Sequence, residues 1–199
     1  VSTVGYKEVR PLSTEEQLFT VVLITASIFI VAYTISVVTE YILSRNNLQL
    51  LKKKKVKQQI EKLENHVIVC GFGRNGAQAA VRLKAYKRPF VVIEKDREII
   101  EKHEEDILFV EGDANEDEVL REAGVHRAKF LIVTLPDDAA NLFVVLSARQ
   151  LNSELFIVSR ASQITSQKKL ELAGANKVIM PDKIGGDHMA SLVVLPDLI

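Results

Sequence analysis

Two hydrophobic rhythms divide the chain. From Leu18 to Thr39 there are 22 consecutive residues without a charge, LFTVVLITASIFIVAYTISVVT, and the run contains neither Pro nor Gly. As a helix at ~1.5 Å per residue it reaches ~33 Å, enough to cross a hydrocarbon core of ~30 Å. The pattern predicts a membrane-spanning helix, assigned to residues 18–43. Its Thr20, Thr25, Ser27, Thr34, Ser36 and Thr39 hydroxyls are expected to bond back to their own helix or face a packed surface. A buried helix of a soluble protein is the lesser alternative at this length.

From His66 onward the rhythm changes. Short apolar runs alternate with amphipathic stretches, predicting strands at Val67–Cys70, Phe90–Glu94, Ile107–Val110, Phe130–Thr134, Leu155–Ser159 and Lys177–Met180. Helices are predicted between them at about 75–87, 97–104, 116–123, 138–150 and 163–173, with a last one at about 184–195. Continuous apolar strands such as VIVC and FVVI suit a parallel sheet buried on both faces. Strands alternating with helices imply an α/β fold, a doubly wound parallel sheet with right-handed crossovers.

The charge balance separates the same two parts. The 26 basic and 26 acidic residues cancel overall, which leaves no basic footprint for nucleic acid. Residues 1–63 nevertheless hold nine Lys/Arg against five Asp/Glu, and residues 64–199 hold 17 against 21. The excess of positive charge follows the apolar run, at Arg45, Lys52, Lys53, Lys54, Lys55 and Lys57. The positive-inside rule places residue 45 onward in the cytoplasm and residues 1–17 outside. Residues 44–65, with Leu48, Leu51, Val56, Ile60 and Leu63 among many Lys, Gln and Glu, read as a helical linker to the domain at 66–199. The chain opens on Val1 with no charged segment ahead of the apolar run, so no signal peptide is expected and the sequence reads as a piece of a longer one.

The chemistry is concentrated at the first strand–helix turn. Gly71-Phe72-Gly73-Arg74-Asn75-Gly76 is G-x-G-x-x-G, directly after VIVC and directly before AQAAVRLK. Gly71 is expected to permit a tight turn, Gly73 a close approach of backbone to a pyrophosphate, and Gly76 the packing of helix on strand. The helix N-terminus adds unpaired N–H groups and partial positive charge. Glu94, closing the second strand in VVIEKD, is placed to accept hydrogen bonds from ribose hydroxyls. Its charge opposes a 2′-phosphate, which favours NAD(H), ADP, ATP or AMP over NADP; Lys95 and Arg97 beside it soften that exclusion. Asp113 and Ala114, after the third strand, and Thr134, closing the fourth, are expected to line the same crevice. Other residues carry less. Cys70 has no basic or His neighbour in sequence and reads as a buried thiol. His66, His103, His126 and His188 lack ligand spacing, and calcium at a subunit-interface carboxylate cluster is a further candidate with no ligand set assigned.

Two resemblances converge on these residues. Thr3-Val4-Gly5-Tyr6, ahead of the predicted membrane helix, resembles the core of the potassium-channel selectivity filter, whose backbone carbonyls replace water around K⁺. The soluble part, through VIVCGFGRNG, VVIEKD, the GDA at 112–114, LIVTLPDD and VIMPDKIGGDHMA, resembles the RCK domain (regulator of potassium conductance, or Trk N-terminal domain), which is Rossmann-like. The resemblance implies a piece of a ligand-gated potassium channel of the cell (inner) membrane. It implies a homotetramer with a cytoplasmic gating ring, in which adenine nucleotide or NAD binding acts on the pore through the linker. Lys7-Glu8 follow Tyr6 where the family usually has Gly-Asp, and residues 18–43 hold no hinge glycine. The competing reading within the same fold is a nucleotide-sensing regulatory subunit of a Trk/Ktr-type potassium transporter. An NAD-dependent enzyme is disfavoured, because no His/Asp or Tyr/Lys constellation can be set beside a nicotinamide.

Overall fold

The computed structural model describes residues 13–43 and 45–194, with no account of the side chains of 42–51. The filter-like Thr3, Val4, Gly5 and Tyr6 lie outside the described residues. The chain divides into two compact units, one ending at Lys54 and the other beginning at Lys55.

The first unit contains α1 (Thr14–Leu43) and the start of α2 (Arg45–Glu61). The first turn of α1 closes as a reciprocal cap: the Ser13 N–H donates to Glu16 Oε2 at 2.9 Å, and the Glu16 N–H to Ser13 Oγ at 3.4 Å. This cap carries the helix upstream of the uncharged run. The hydroxyls bond back as their chemistry predicts, Thr20 to the Glu16 carbonyl, Thr25 to Val21, Ser27 to Ile24 and Thr34 to Ile30, all at 2.7–2.8 Å. Apolar side chains such as Phe19, Ile28, Phe29, Ile30 and Tyr33 point outward. Thr14–Tyr41 is long and apolar enough to cross a bilayer, and none of its apolar window is buried within the chain.

The second unit is a six-stranded, all-parallel sheet: β1 (Val67–Cys70), β2 (Phe90–Glu94), β3 (Phe109–Glu111), β4 (Phe130–Val133), β5 (Phe156–Arg160) and β6 (Lys177–Ile179). The spatial order is β3-β2-β1-β4-β5-β6, the doubly wound arrangement. The helices between them are α3 (Arg74–Ala85), α4 (Arg97–His103), α5 (Asp117–Glu122), α6 (Asp138–Leu151) and α7 (Ile164–Leu172), and α8 (Pro181–Val194) follows β6. β1 is buried along its whole length, and two apolar cores cover the two sheet faces. One gathers Ile68, Cys70, Ile93, Leu131, Ile157 and helices α5–α7; the other gathers Val67, Val69, Phe72, Val92 and Phe109.

Element edges differ from the sequence reading where a backbone group is already committed. The Ile107 N–H closes α4 onto the His103 carbonyl at 3.2 Å, so β3 starts only at Phe109. The Leu155 N–H bonds the Asn152 carbonyl in a turn, which delays β5 to Phe156. At the last helix Pro181 takes the first position, where its missing N–H costs nothing, and α8 begins three residues earlier than predicted.

Candidate functional site

In a parallel sheet of this order the chain leaves β1 toward β2 and β3 on one side and returns through β4 on the other. A crevice therefore opens at the carboxyl ends of β1 and β4. The glycine turn fills the start of it. Gly71 adopts φ 88, and its N–H bonds the Ile93 carbonyl at 2.8 Å, tying the turn to the neighbouring strand. Gly76 is buried, and a Cβ there would collide with the Gly71 carbonyl oxygen and lie 2.9 Å from Thr134 Oγ1. Gly73 differs from both: it is exposed, and a Cβ on it would meet nothing within 4 Å.

That open space lies over the N-terminus of α3. Gly73 is its N-cap and supplies no capping side chain, the first turn carries no acid, and Arg74 and Asn75 follow. Unpaired N–H groups thus sit beside an empty approach, the arrangement a phosphate would use.

The residues around the turn play roles the sequence did not distinguish. Phe72 turns its ring into the core, edge-on to Phe109 at 5.3 Å and to His103 at 5.1 Å, leaving its backbone at the rim. Glu94 is half-buried and already engaged: Oε2 accepts the Phe72 N–H at 2.7 Å, while Oε1 accepts Lys95 N–H at 2.8 Å and Asp96 N–H at 2.9 Å. A carboxylate offers about four acceptor positions, so roughly one remains for a hydroxyl. Lys95 is exposed, and Arg97 pairs with Glu101 at 3.1 Å. Asp113 accepts the Asn115 backbone N–H at 2.9 Å and its side-chain amide at 2.7 Å; Ala114 is buried beneath that turn. The Thr134 hydroxyl donates into the carbonyls of Cys70 and Gly71, at 2.9 and 3.1 Å, and so braces the glycine turn from β4.

Sequence reasoning missed the residue that shapes the far wall. Asn141 is buried on α6; its Oδ1 accepts the Leu135 N–H at 3.0 Å, and its Nδ2 donates to the carbonyls of Leu135 and Arg160 at 3.0 and 3.2 Å. Its signal was a lone amide on the apolar stripe formed with Val144, Val145 and Ala148 at helical spacing. Arg160 reaches the Leu135 carbonyl at 3.4 Å and Asp182 at 3.2 Å. Asp138 accepts the backbone N–H groups of Ser162 and Gln163 at 2.8–3.1 Å. Burial alone would raise the Asp138 carboxyl, but those hydrogen bonds, with the Ser162 and Ser166 hydroxyls, hold it below the ordinary value.

Cys70 lies fully buried under the turn, and burial pushes its thiol up to about 12, so it is no nucleophile. Among the described residues of the single chain no group of three or more His, Cys, Asp or Glu is gathered for a metal.

Comparison with known proteins falls along the same division. The TrkA-N domain family model matches residues 67–181, and the ion channel model matches residues 1–44. The whole chain is 35% identical over 203 residues to a probable potassium channel protein of Methanocaldococcus jannaschii, and spans 59% of that protein's length. Among solved structures, the TrkA-N domain of the inner membrane protein ybaL from Escherichia coli superposes with TM-score 0.64 at 31% identity, covering 66% of this chain and 98% of that one. The GsuK structure bound to ADP superposes with TM-score 0.59 at 32% identity, covering 72% of this chain and 38% of that one.

Proposed function

Because the chain belongs to the TrkA-N domain family, we propose that it is part of a potassium channel subunit whose RCK domain binds an adenine nucleotide and gates the pore. The observation that carries the nucleotide half is Gly73: an uncapped helix N-terminus faces open space beside a glycine turn. Gly71, Phe72, Gly73, Arg74, Asn75 and Gly76 supply the cradle, Phe72 through its backbone alone. Phosphates sit against the α3 N–H groups, and the ribose hydroxyls donate to the remaining acceptor position of Glu94, flanked by Lys95. Asp113, Ala114 and Thr134 bound the pocket. ADP is the ligand first to be tried, since a solved relative carries it at 32% identity; NAD(H), ATP and AMP share its adenosine and phosphate.

The channel half is supported by α1, by the ion channel match over residues 1–44, and by the full-chain similarity to a probable potassium channel protein. In this reading residues 1–17 hold the filter end with Thr3, Val4, Gly5 and Tyr6 around K⁺, and 18–43 form the inner helix. Residues 44–65 form the linker and 66–199 the cytoplasmic nucleotide domain, assembled as a homotetrameric gating ring under the cell membrane. The domain acts as a sensor and performs no chemistry on its ligand. A ligand shifts such a gate only through unequal affinity for its two states, typically ~1–3 kcal/mol of coupling. The likeness to the ybaL domain is equally at home in a transporter's regulatory subunit; that reading accounts for residues 67–181 and leaves α1 without a task.

Calorimetry tests the nucleotide half directly. ADP titrated into the protein binds at one site per chain, and Glu94→Arg weakens it at least ~tenfold, a loss of ~1.4 kcal/mol. Equal affinity in wild type and Glu94→Arg would remove the ribose from Glu94, and no ADP binding by wild type would remove ADP from the site.

A further inference from the structure

The α2 helix ends with a deficit. The last carbonyls of any helix lack internal partners, and a basic residue in the last turn commonly covers them. The last turn of α2 carries none. Tight turns answer part of it, the Lys62 N–H bonding the Gln59 carbonyl at 3.2 Å and the Leu63 N–H the Ile60 carbonyl at 3.0 Å. A further bond comes from far along the chain: Arg127 Nη2 donates to the second acceptor position of the Ile60 carbonyl and Arg127 Nε to the Leu63 carbonyl just past the helix, both at 3.3 Å, and Nε also lies 3.7 Å from Glu64 Oε1. The Arg127 main chain joins in, its carbonyl accepting the Asn65 N–H at 2.9 Å where the chain reverses at φ 54. We propose that Arg127 is the positioning residue that holds the C-terminal end of α2 on the domain and through which the domain moves it. The inference rests on the reading of α2 as the linker to a gate.

The surroundings are built around this guanidinium. Ile60 is 2% exposed, and Val56 and Leu63 pack on the same core, so α2 is held by apolar contacts on one side and capped by Arg127 at its end. Gly124, at φ 79, leaves the room: a Cβ there would lie 3.0 Å from Arg127 Nη2 and 3.1 Å from the His66 ring. Any other residue at 124 displaces one of them.

Topology says why this cap matters. Strands run parallel, so the starts of β1 and β4 lie at the sheet edge opposite the glycine turn. His66 and Arg127 stand just before those starts. The only segment between β3 and β4 is α5 with its flanks: Asp113 lies at its beginning, by the proposed pocket, and Ala123–Arg127 at its end. A helix of six residues is ~9 Å long. It is a short, stiff strut from the ligand edge to the α2 cap.

The test is hydrogen–deuterium exchange of the full-length protein in lipid nanodiscs, comparing wild type, Arg127→Gln and Arg127→Lys. Arg127→Gln should raise exchange at residues 57–63 at least ~tenfold, with β1 and β4 amides unchanged. Arg127→Lys, a point charge without the fork, should recover only part of the protection. Unchanged exchange at 57–63 in Arg127→Gln overturns the proposal, and so does an equal rise across the whole domain, which would make Arg127 a general stabiliser. Calorimetry with ADP on the same variants keeps the two readings apart. Arg127→Gln should bind ADP within twofold of wild type; failure of wild type to bind ADP sinks the nucleotide reading while the exchange result still decides Arg127.

Discussion

The Phe72 N–H donates to Glu94 Oε2 at 2.7 Å, joining the middle of the glycine turn to the end of the adjacent strand. One carboxylate therefore braces the glycine turn and, in the proposed reading, also presents the acceptor for the sugar. Glu94 also holds the Lys95 and Asp96 N–H groups. Replacing it by Gln keeps the size but turns charge-assisted bonds into neutral ones, and one amide nitrogen faces an N–H donor. Glu94→Gln is expected to cost ~1–2 kcal/mol of domain stability in urea unfolding even without nucleotide. A variant as stable as wild type would mean these bonds contribute little.

Gly73 and Gly76 separate binding from folding. Gly76→Ala forces a Cβ into the Gly71 carbonyl and Thr134, and is expected to destabilise by ~3 kcal/mol. Gly73→Ala meets nothing in the protein and has φ −70, ψ −166, which alanine adopts freely, so its melting transition should match wild type within ~0.5 kcal/mol. In the proposed site the same methyl would stand in the phosphate approach, and ADP affinity should drop at least ~tenfold. Undiminished affinity in Gly73→Ala would place the phosphates elsewhere.

His66 makes stability depend on pH. Its ring is fully buried, with Nε2 2.9 Å from the Ala123 carbonyl and Nδ1 without a partner. Burial lowers its pKa from 6.5, against the pull of the Ala123 carbonyl, and nearby Arg127 lowers it further. The folded state thus favours the neutral ring, and the unfolded chain binds the extra proton. Stability is complete above pH 6.5 and falls as pH drops below it, by at most ~1.4 kcal/mol per pH unit for one proton. Urea midpoints between pH 8 and pH 5 check this, with His66→Gln, which can still reach Ala123, expected to flatten the profile. The same slope in His66→Gln would assign the proton to another group.

The fold was legible because its signals are local and repeated. VIVC, FVVI and FLIV are apolar on both faces, and the glycine turn follows the first of them. What was illegible depended on pairing across distance. Nothing in REIIEKH or in AGVHRAK announces that the Ile107 N–H closes α4, or that Arg127 reaches back to the carbonyls of Ile60 and Leu63. Likewise Phe72 sits between two glycines and reads as part of a ligand loop, yet its ring belongs to the core with Phe109. Glu94 was placed correctly at the end of β2, but that its carboxylate is largely occupied by main-chain donors follows only from the turn's geometry.

In the proposed channel, nucleotide in the glycine turn controls potassium permeation. This control is tested by Ba²⁺-blockable K⁺ flux from liposomes holding the full-length protein, measured across an ADP titration for wild type and Gly73→Ala. Wild-type flux should change with ADP, and Gly73→Ala should conduct but respond only at concentrations at least ~tenfold higher. Flux that is indifferent to ADP in wild type, or an identical ADP response in both proteins, would contradict it.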